Sequence, residues 1–427
     1  MYSGDTTTQN THDMKRLIVD AIFGFLFVLS LILFFSSITF FRVFDLFDPI
    51  GEIFDDFEFT DLMMSQMREA PPADESIVLV NIGNLNRAGI AQQLKIIAQY
   101  KPRVIGLDIL LDTESDHEQD SILEAALRGT PNTILAHKLL YNPDTDQFDS
   151  SLMPIPRFRT TSELAYVNLI TGASHQDELK VCRSFTPSET LADTTALAFS
   201  VKLASFADPD KTEKFLARAK QEELINYRGN VFDFGATQYG TRYFALDVGD
   251  VLNENFMGDI ITDKIVIFCF MGAYLGDRLT IEDKFFTPLN RNFVGKADHD
   301  MFGGVIHANI VSMILQQDYL DEMGSGWAKF WALLIGFLNI LLFTWIYKAL
   351  PNWYDGITKV FQLFEVLLLV TLMIFILHWF NYKVNFSYTI ILVLIAGDAL
   401  EVYHGVVKNL FSRKGRKELS RIRKVKG

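Results

Sequence analysis

Two short clusters carry side chains that ligate metals: Asp116-His117-Glu118 and Asp298-His299-Asp300. Adjacent residues diverge on a helix or a strand, so each cluster needs ligands from elsewhere to close a coordination sphere. Solvated loop or helix-cap roles are the expectation for both. The small-residue stretch Gly272-Ala273-Tyr274-Leu275-Gly276-Asp277 follows an apolar run. Backbone amides in such a stretch can cradle an anion, but a plain turn is the simpler reading. The chain has two cysteines, Cys182 and Cys269; Cys269 lies in an apolar run, which favours two buried free thiols over a disulfide. No phosphate-binding Gly-x-x-x-x-Gly-Lys, His-Glu-x-x-His or Gly-x-Ser-x-Gly pattern is present. No catalytic residue, metal or cofactor is therefore expected.

Composition explains what must position these residues. Of 427 residues, 49% are hydrophobic and 21% charged, and mean hydropathy is +0.17. That combination requires apolar blocks separated from polar ones. A disordered chain, a collagen-like chain and a disulfide scaffold are excluded. A net charge of −13 argues against nucleic acid as a ligand.

Four blocks are long enough for a hydrocarbon core of roughly 30 Å: residues 17–41, 327–347, 360–380 and 386–407. The first has no small-residue cleavage site and reads as an uncleaved anchor. Lys15-Arg16 precede it, and the tail 408–427 holds nine Lys and Arg against one Glu. The positive-inside rule then puts residues 1–16 and the basic tail in the cytoplasm. Residues 42–326 lie outside, and the 348–359 and 381–385 connectors lie inside and outside respectively. The tail is also expected to touch anionic lipid.

Acidic residues inside the spans are costly and therefore informative. Asp20, Glu365, Asp398 and Glu401 all fall in the inner-leaflet half. Counting about 1.5 Å per residue puts Asp398 about 12 Å from the inner face. Lys329, His404 and the tail cations from Lys408 are out of its reach on this count. Asp398, Glu401 and Glu365 are expected to share protons or to meet a cation from another subunit, and the second is favoured.

The outside segment reads as α/β. Ser76–Ile82 and Arg103–Ile109 are continuous apolar runs, with a helix-spaced stretch from Asn86 to Tyr100 between them. A helix is expected over 118–128 and another over 194–206. Strands are expected at 133–137, 164–170, 224–227 and 264–270, and long loops at 141–159 and 285–301.

Eight segments in order resemble a known family. They are Val78-Leu79-Val80-Asn81-Ile82, Val104-Ile105-Gly106-Leu107-Asp108-Ile109, Tyr166-Val167-Asn168, Val181-Cys182-Arg183, Ile225-Asn226-Tyr227-Arg228-Gly229, Asp263-Lys264-Ile265-Val266-Ile267, Phe286-Thr287-Pro288 and Gly304-Val305-Ile306-His307-Ala308-Asn309. This order is similar to that of CHASE2 domains, extracytoplasmic sensory domains of bacterial receptors. The resemblance implies an α/β sensor domain inserted between one N-terminal and three C-terminal transmembrane helices, in a bacterial inner membrane. Two departures stand out. Gly83 and Asn84-Leu85-Asn86 stand where the family often has an acidic residue and a Trp-Pro pair. The chain also stops about twenty residues after its last span, without the family's usual output domain.

Asp108, at the carboxyl end of a buried strand where open sheets place ligands, and His307 are candidates for ligand binding or coupling, as are Asn168 and Asn309. The bland alternatives are a capping Asp and a packed His. The expected function is a non-enzymatic sensor or regulatory subunit acting through its spans on separate partner proteins, or on further copies of itself, in response to an unknown extracytoplasmic ligand. The alternative is a structural or proton-coupled subunit of an inner-membrane complex such as a secretion or motor assembly.

Overall fold

The computed structural model describes residues 5–37, 61, 63–142, 144–145, 147–160, 162–169, 181–191, 194–232, 240–290 and 299–408, with side chains of the first helix described over 14–34. Asp298 and most of the basic tail lie outside the described residues. The chain divides into two compact units, one of residues 56–321 and one of residues 1–55 with 322–427.

The 56–321 unit is α/β. Its strands are β1 (Asp74–Asn81), β2 (Val104–Leu107), β3 (Thr133–Asn142), β4 (Gln147–Leu152), β5 (Glu163–Tyr166), β6 (Ser184–Phe185), β7 (Ser188–Leu191), β8 (Thr194–Leu197), β9 (Glu223–Leu224), β10 (Tyr243–Leu246), β11 (Ile265–Cys269), β12 (Lys284–Phe285) and β13 (Met301–Phe302). With α1 (Asp5–Ser37) in the other unit, its helices are α2 (Arg87–Gln99), α3 (His117–Arg128), α4 (Pro156–Arg159), α5 (Phe199–Ala207), α6 (Pro209–Leu216), α7 (Val248–Leu252) and α8 (Gly303–Gln316). The main sheet runs β10-β1-β11-β2-β3-β4, with β5 also pairing β3. All its pairings are parallel except β3 with β4.

The apolar runs explain the centre of this sheet. Every residue of β2 and β11 is buried, so these strands need cover on both faces. Val78, Val80, Ile105, Leu107, Val266 and Phe268 pack with Ile90, Leu94, Leu123, Leu127 and Val251 of α2, α3 and α7. The opposite face carries α5 and α8, which contact β2 and the β1–β11 pair respectively. A Cβ on Gly106 would sit 2.5 Å from Phe199 Cζ, so α5 lies close only because position 106 has no side chain.

Helix starts follow local chemistry. Asn86 accepts from the Gly89 amide to open α2, and Asp116 accepts from Glu118 and Gln119 amides to open α3. Asp116 is thus a cap, and His117 and Glu118 are exposed.

Several expectations need correction. The 141–159 segment is not a loop: it holds the end of β3, β4 and α4. The 194–206 stretch is not one helix. Thr194–Leu197 closes a hairpin with Ser188–Leu191, and α5 begins only at Phe199. β-branched Thr194 and Thr195 favour the strand, while the helical period resides in 199–207. The α6, α7 and α8 helices and the β10 strand are additions to the elements expected from the sequence.

In the other unit, α1, α9 (Ser325–Ala349), α10 (Tyr354–Phe380) and α11 (Ser387–Val402) are long and apolar enough to cross a membrane, α11 being continued by a π-helical turn to Val407. Ala21 and Val28 pack with Ile340, Phe343, Ala396 and Leu400. Small residues permit these contacts: a Cβ on Gly336 would sit 1.4 Å from a Leu392 methyl.

Candidate functional site

The carboxyl ends of β1, β11 and β2 supply Asn81, Cys269 and Asp108. Asn81 is fully buried and spends its whole side chain on the turns around it. Its Oδ1 accepts from the Gly83 and Met271 amides at 3.1 and 2.9 Å, and its Nδ2 donates to Asp247 Oδ1 and the Gly272 carbonyl at 3.0 and 3.1 Å. The Gly272–Asp277 stretch is therefore tied as a turn. The Leu275 amide, a candidate anion donor, is already taken by Asp247 Oδ2 at 3.1 Å.

The N-terminus of α8 comes up against the other strand ends. A Cβ on Gly304 would lie 2.3 Å from Cys269 Sγ and 3.7 Å from Asp108 Oδ2. A Cβ on Gly303 would lie 3.0 and 3.1 Å from the two carboxylate oxygens of Asp283. The Gly303-Gly304 pair thus lets one helix end reach two carboxylates. Asp283 also accepts the Gly303 amide on its own carbonyl at 2.9 Å, and its φ of 56° is left-handed.

Burial pushes the Asp108 carboxyl up to about 7. Asp283 is exposed as a residue, but packing around its carboxyl, with the charges of Asp108 and Glu282, raises it well above the carboxylate range. Cys269 is raised too, by burial first and by the two Asp charges next. A thiol so held is protonated and unreactive. The arrangement sets two carboxyls against one helix N-terminus, whose dipole favours their charged forms while packing opposes them. Among the described residues no group of three or more His, Cys, Asp or Glu is placed to hold a metal.

His307, on the second turn of α8, is fully packed. Its Nδ1 meets Ser200 Oγ at 2.7 Å, and its ring also hydrogen-bonds the Val167 backbone. Burial lowers it to about 3, so the ring is neutral. Asn168 pairs with the Leu139 backbone in both directions, at 2.7 and 3.0 Å, acting as an extra rung beside β3. Asn309, also fully buried, accepts on Oδ1 from the Arg228 and Gly229 amides and the Tyr243 hydroxyl. Its Nδ2 donates to the Gly229 and Val305 carbonyls. Helix α8 therefore collects Asp108, His307 and Asn309 around it, and Asn168 stands beyond the Val167 contact. The hydrogen-bonding capacity of both asparagines is used within the fold.

The solvated role expected of Asp300 does not hold. Asp300 is fully buried and accepts from the Thr287 amide and hydroxyl at 2.8 and 2.6 Å. Burial pushes it to about 7 despite these bonds. Beside it, His299 stacks on Phe286 at 4.2 Å. Cys182 and Cys269 are free and buried, and burial pushes Cys182 to about 12.

Residues 26–347, most of the chain, match the CHASE2 domain family. The chain belongs to that family. CHASE2 domains are extracytoplasmic sensory domains, and the α8 junction just described lies inside the matched segment. No curated protein and no solved structure matches the chain.

The span-length helices of this CHASE2 protein revise the expected charge balance. Lys359 Nζ lies 2.5 Å from Asp398 Oδ1. The expectation that Asp398 has no cation within its own chain is therefore wrong. The sequence pattern begins the third span at Val360, whereas α10 starts at Tyr354, so Lys359 sits on the helix beside α11. Asp20 likewise meets Lys348 at 2.6 Å and Lys408 at 2.8 Å. Glu401 is exposed. Glu365 differs: it is partly buried, Asn339 is its neighbour, and its Oε2 has no hydrogen-bond partner among the described residues.

Proposed function

We propose that this CHASE2 chain is a non-enzymatic extracytoplasmic sensor or regulatory subunit that signals, or assembles, through its transmembrane helices to separate partner proteins. The observation that carries the reading is the Asp108–Asp283 pair at the Gly303–Gly304 end of α8, within a sensory family. A carboxyl raised by burial at Asp108, and a neighbour raised by desolvation and by the charge of Asp108, cost stability at this helix end, so a change in their proton or cation occupancy would be felt by α8. Among the described residues, the Ser–His contact of Ser200 with His307 is closed to solvent, which supports binding over turnover. Lys15, Arg16, Lys348 and Lys359 all lie near span ends that the positive-inside rule assigns to the cytoplasm, which supports residues 56–321 lying outside a bacterial inner membrane.

Mild-detergent purification from the native cell, with identification of co-purifying proteins, tests the reading. At least one membrane partner is expected. A chain that purifies alone and turns over a substrate, with loss of turnover in Asp108→Ala, overturns it.

Glu365 favours a second reading, a proton-coupled subunit of a membrane complex. A carboxyl near mid-helix with no cation paired to it among the described residues is a usual mark of a proton or partner contact. Glu365→Gln that retains the partners but abolishes the cellular phenotype supports this reading; an unchanged phenotype refutes it.

A further inference from the structure

Strand β1 is irregular where it pairs with the edge strand β10. Asp74 aligns with Tyr243 and Val78 with Phe244, so four steps of β1 match one step of β10. Bulges of this kind open sheets and are common beside binding sites. Here the opening is a cavity of about 460 Å³ whose walls include Val78, Arg242, Phe244, Ile260 and Lys264. That volume is in the range of small-molecule sites.

The polar groups of the cavity are unevenly used. Asp74 is spent: its carboxylate accepts from Ser76 Oγ and Ser312 Oγ, each at 2.5 Å, and from Gln316 Nε2 at 3.0 Å. Arg242 is anchored through its backbone, whose amide donates to the Asn230 carbonyl at 2.7 Å and whose carbonyl accepts from the Asp74 amide at 2.9 Å. Its side-chain Nε is buried and has no acceptor among the described residues. A buried Nε–H without an acceptor costs stability, and the half-buried guanidinium that carries it lines the cavity, where an anion would pair with it. Around it, Val78 is fully buried, Ile260 partly so, and Phe244 turns almost half its surface to solvent at 48%. Glu75 and Asp259 also line the cavity but are exposed, and water and salt screen such charges.

We propose that this cavity binds a small carboxylate bearing an apolar arm, with the carboxylate on the Arg242 guanidinium and the arm against Val78, Phe244 and Ile260. An organic acid and an apolar amino acid share this chemistry. They differ in the ammonium group, which would face Glu75 and Asp259. The site stands independently of the regulatory reading, because it is read by equilibrium binding and not by any effect on a partner.

The experiment is calorimetric titration of the full chain in lipid nanodiscs, with empty nanodiscs as blank. The probes are 3-phenylpropionate, phenylalanine, the uncharged 3-phenylpropanol and inorganic phosphate. Saturable binding of 3-phenylpropionate or phenylalanine is expected, with the alcohol and phosphate at least about tenfold weaker, since each lacks half of the recognised group. Tighter phenylalanine assigns the amino acid; tighter 3-phenylpropionate assigns the organic acid. Arg242→Met should weaken the preferred carboxylate by about tenfold or more, the usual worth of a charge-assisted pair. Phe244→Glu, at an exposed position, should do the same with the fold intact. No saturable binding of either carboxylate overturns the proposal, as does phosphate binding equally well. Unchanged affinity in Phe244→Glu, or in Arg242→Met where that variant folds, overturns it too.

Discussion

Replacing Asp108 by Asn should stabilise the α/β unit at neutral pH and do nothing for it in acid. Burial raises the Asp108 carboxyl from 3.8 to about 7. A carboxyl raised on folding binds its proton more tightly in the folded chain. Its contribution is fully present below the unfolded value and is lost as pH rises through about 7. Three pH units at about 1.4 kcal/mol each set an upper bound of about 4 kcal/mol. About 1–3 kcal/mol is therefore expected above pH 7, and about zero at pH 4, where a protonated Asp and an Asn are nearly isosteric.

Tryptophan fluorescence cannot report this change, because all five Trp residues lie between 327 and 379, outside the 56–321 unit. Hydrogen exchange of peptides covering Gly303–Gln316 can, since α8 is buried through Ile314 and its amides exchange only on opening. The exchange free energies of the native chain and of Asp108→Asn should converge toward pH 4 and separate toward pH 8, with the variant the more protected. Asp283→Asn should narrow the gap, as neighbouring carboxyls whose charges interact are non-additive. Equal protection at both pH values, or a uniform loss in Asp108→Asn, would mean that Asp108 is an ordinary cap with no stored repulsion.

Asn309→Leu removes the acceptor of the Arg228 and Gly229 amides and the donor to the Gly229 carbonyl in the core, and should cost about 2–4 kcal/mol of unfolding free energy by denaturant titration. Asp398→Asn and Lys359→Gln should each weaken the α10–α11 contact, and the double variant should be no worse than either single one by thermal melting in nanodiscs; strictly additive losses would show that the 2.5 Å pair carries no interaction energy. Cys182 and Cys269 should resist iodoacetamide at pH 8 in the folded chain and react on unfolding, because burial holds both thiols protonated. Rapid labelling of Cys269 in the folded chain would place the α8 end in water.

What is legible in the sequence is whatever one local signal determines. Strands β2 and β11 and the Ile77–Val80 part of β1 are continuous apolar runs, and a run with no polar face must lie between two layers, so cover on both faces of the sheet follows from the residues. Helix α8 shows the opposite case. It opens on Gly303-Gly304, the poorest helix formers short of proline, and its first twelve residues are all buried, so it has neither a cap signal nor a polar face. Its helicity comes from packing against β1 and β11, which a single sequence does not display. The same helix makes the candidate site legible only in part. Asp108 can be found because it ends a strand; Asp283 cannot, because no local pattern marks it and it matters only through its closeness to Gly303. The Lys359–Asp398 pair is hidden for a related reason. Counting depth along one span gives axial position, but a salt bridge between helices depends on where the neighbouring helix begins. Starting the third span at Val360 instead of Tyr354 leaves Lys359 off the helix and Asp398 apparently alone. With that pair made inside the chain, the demand for an outside partner passes to Glu365, whose Oε2 is the carboxylate oxygen in these helices that remains buried and unbonded among the described residues.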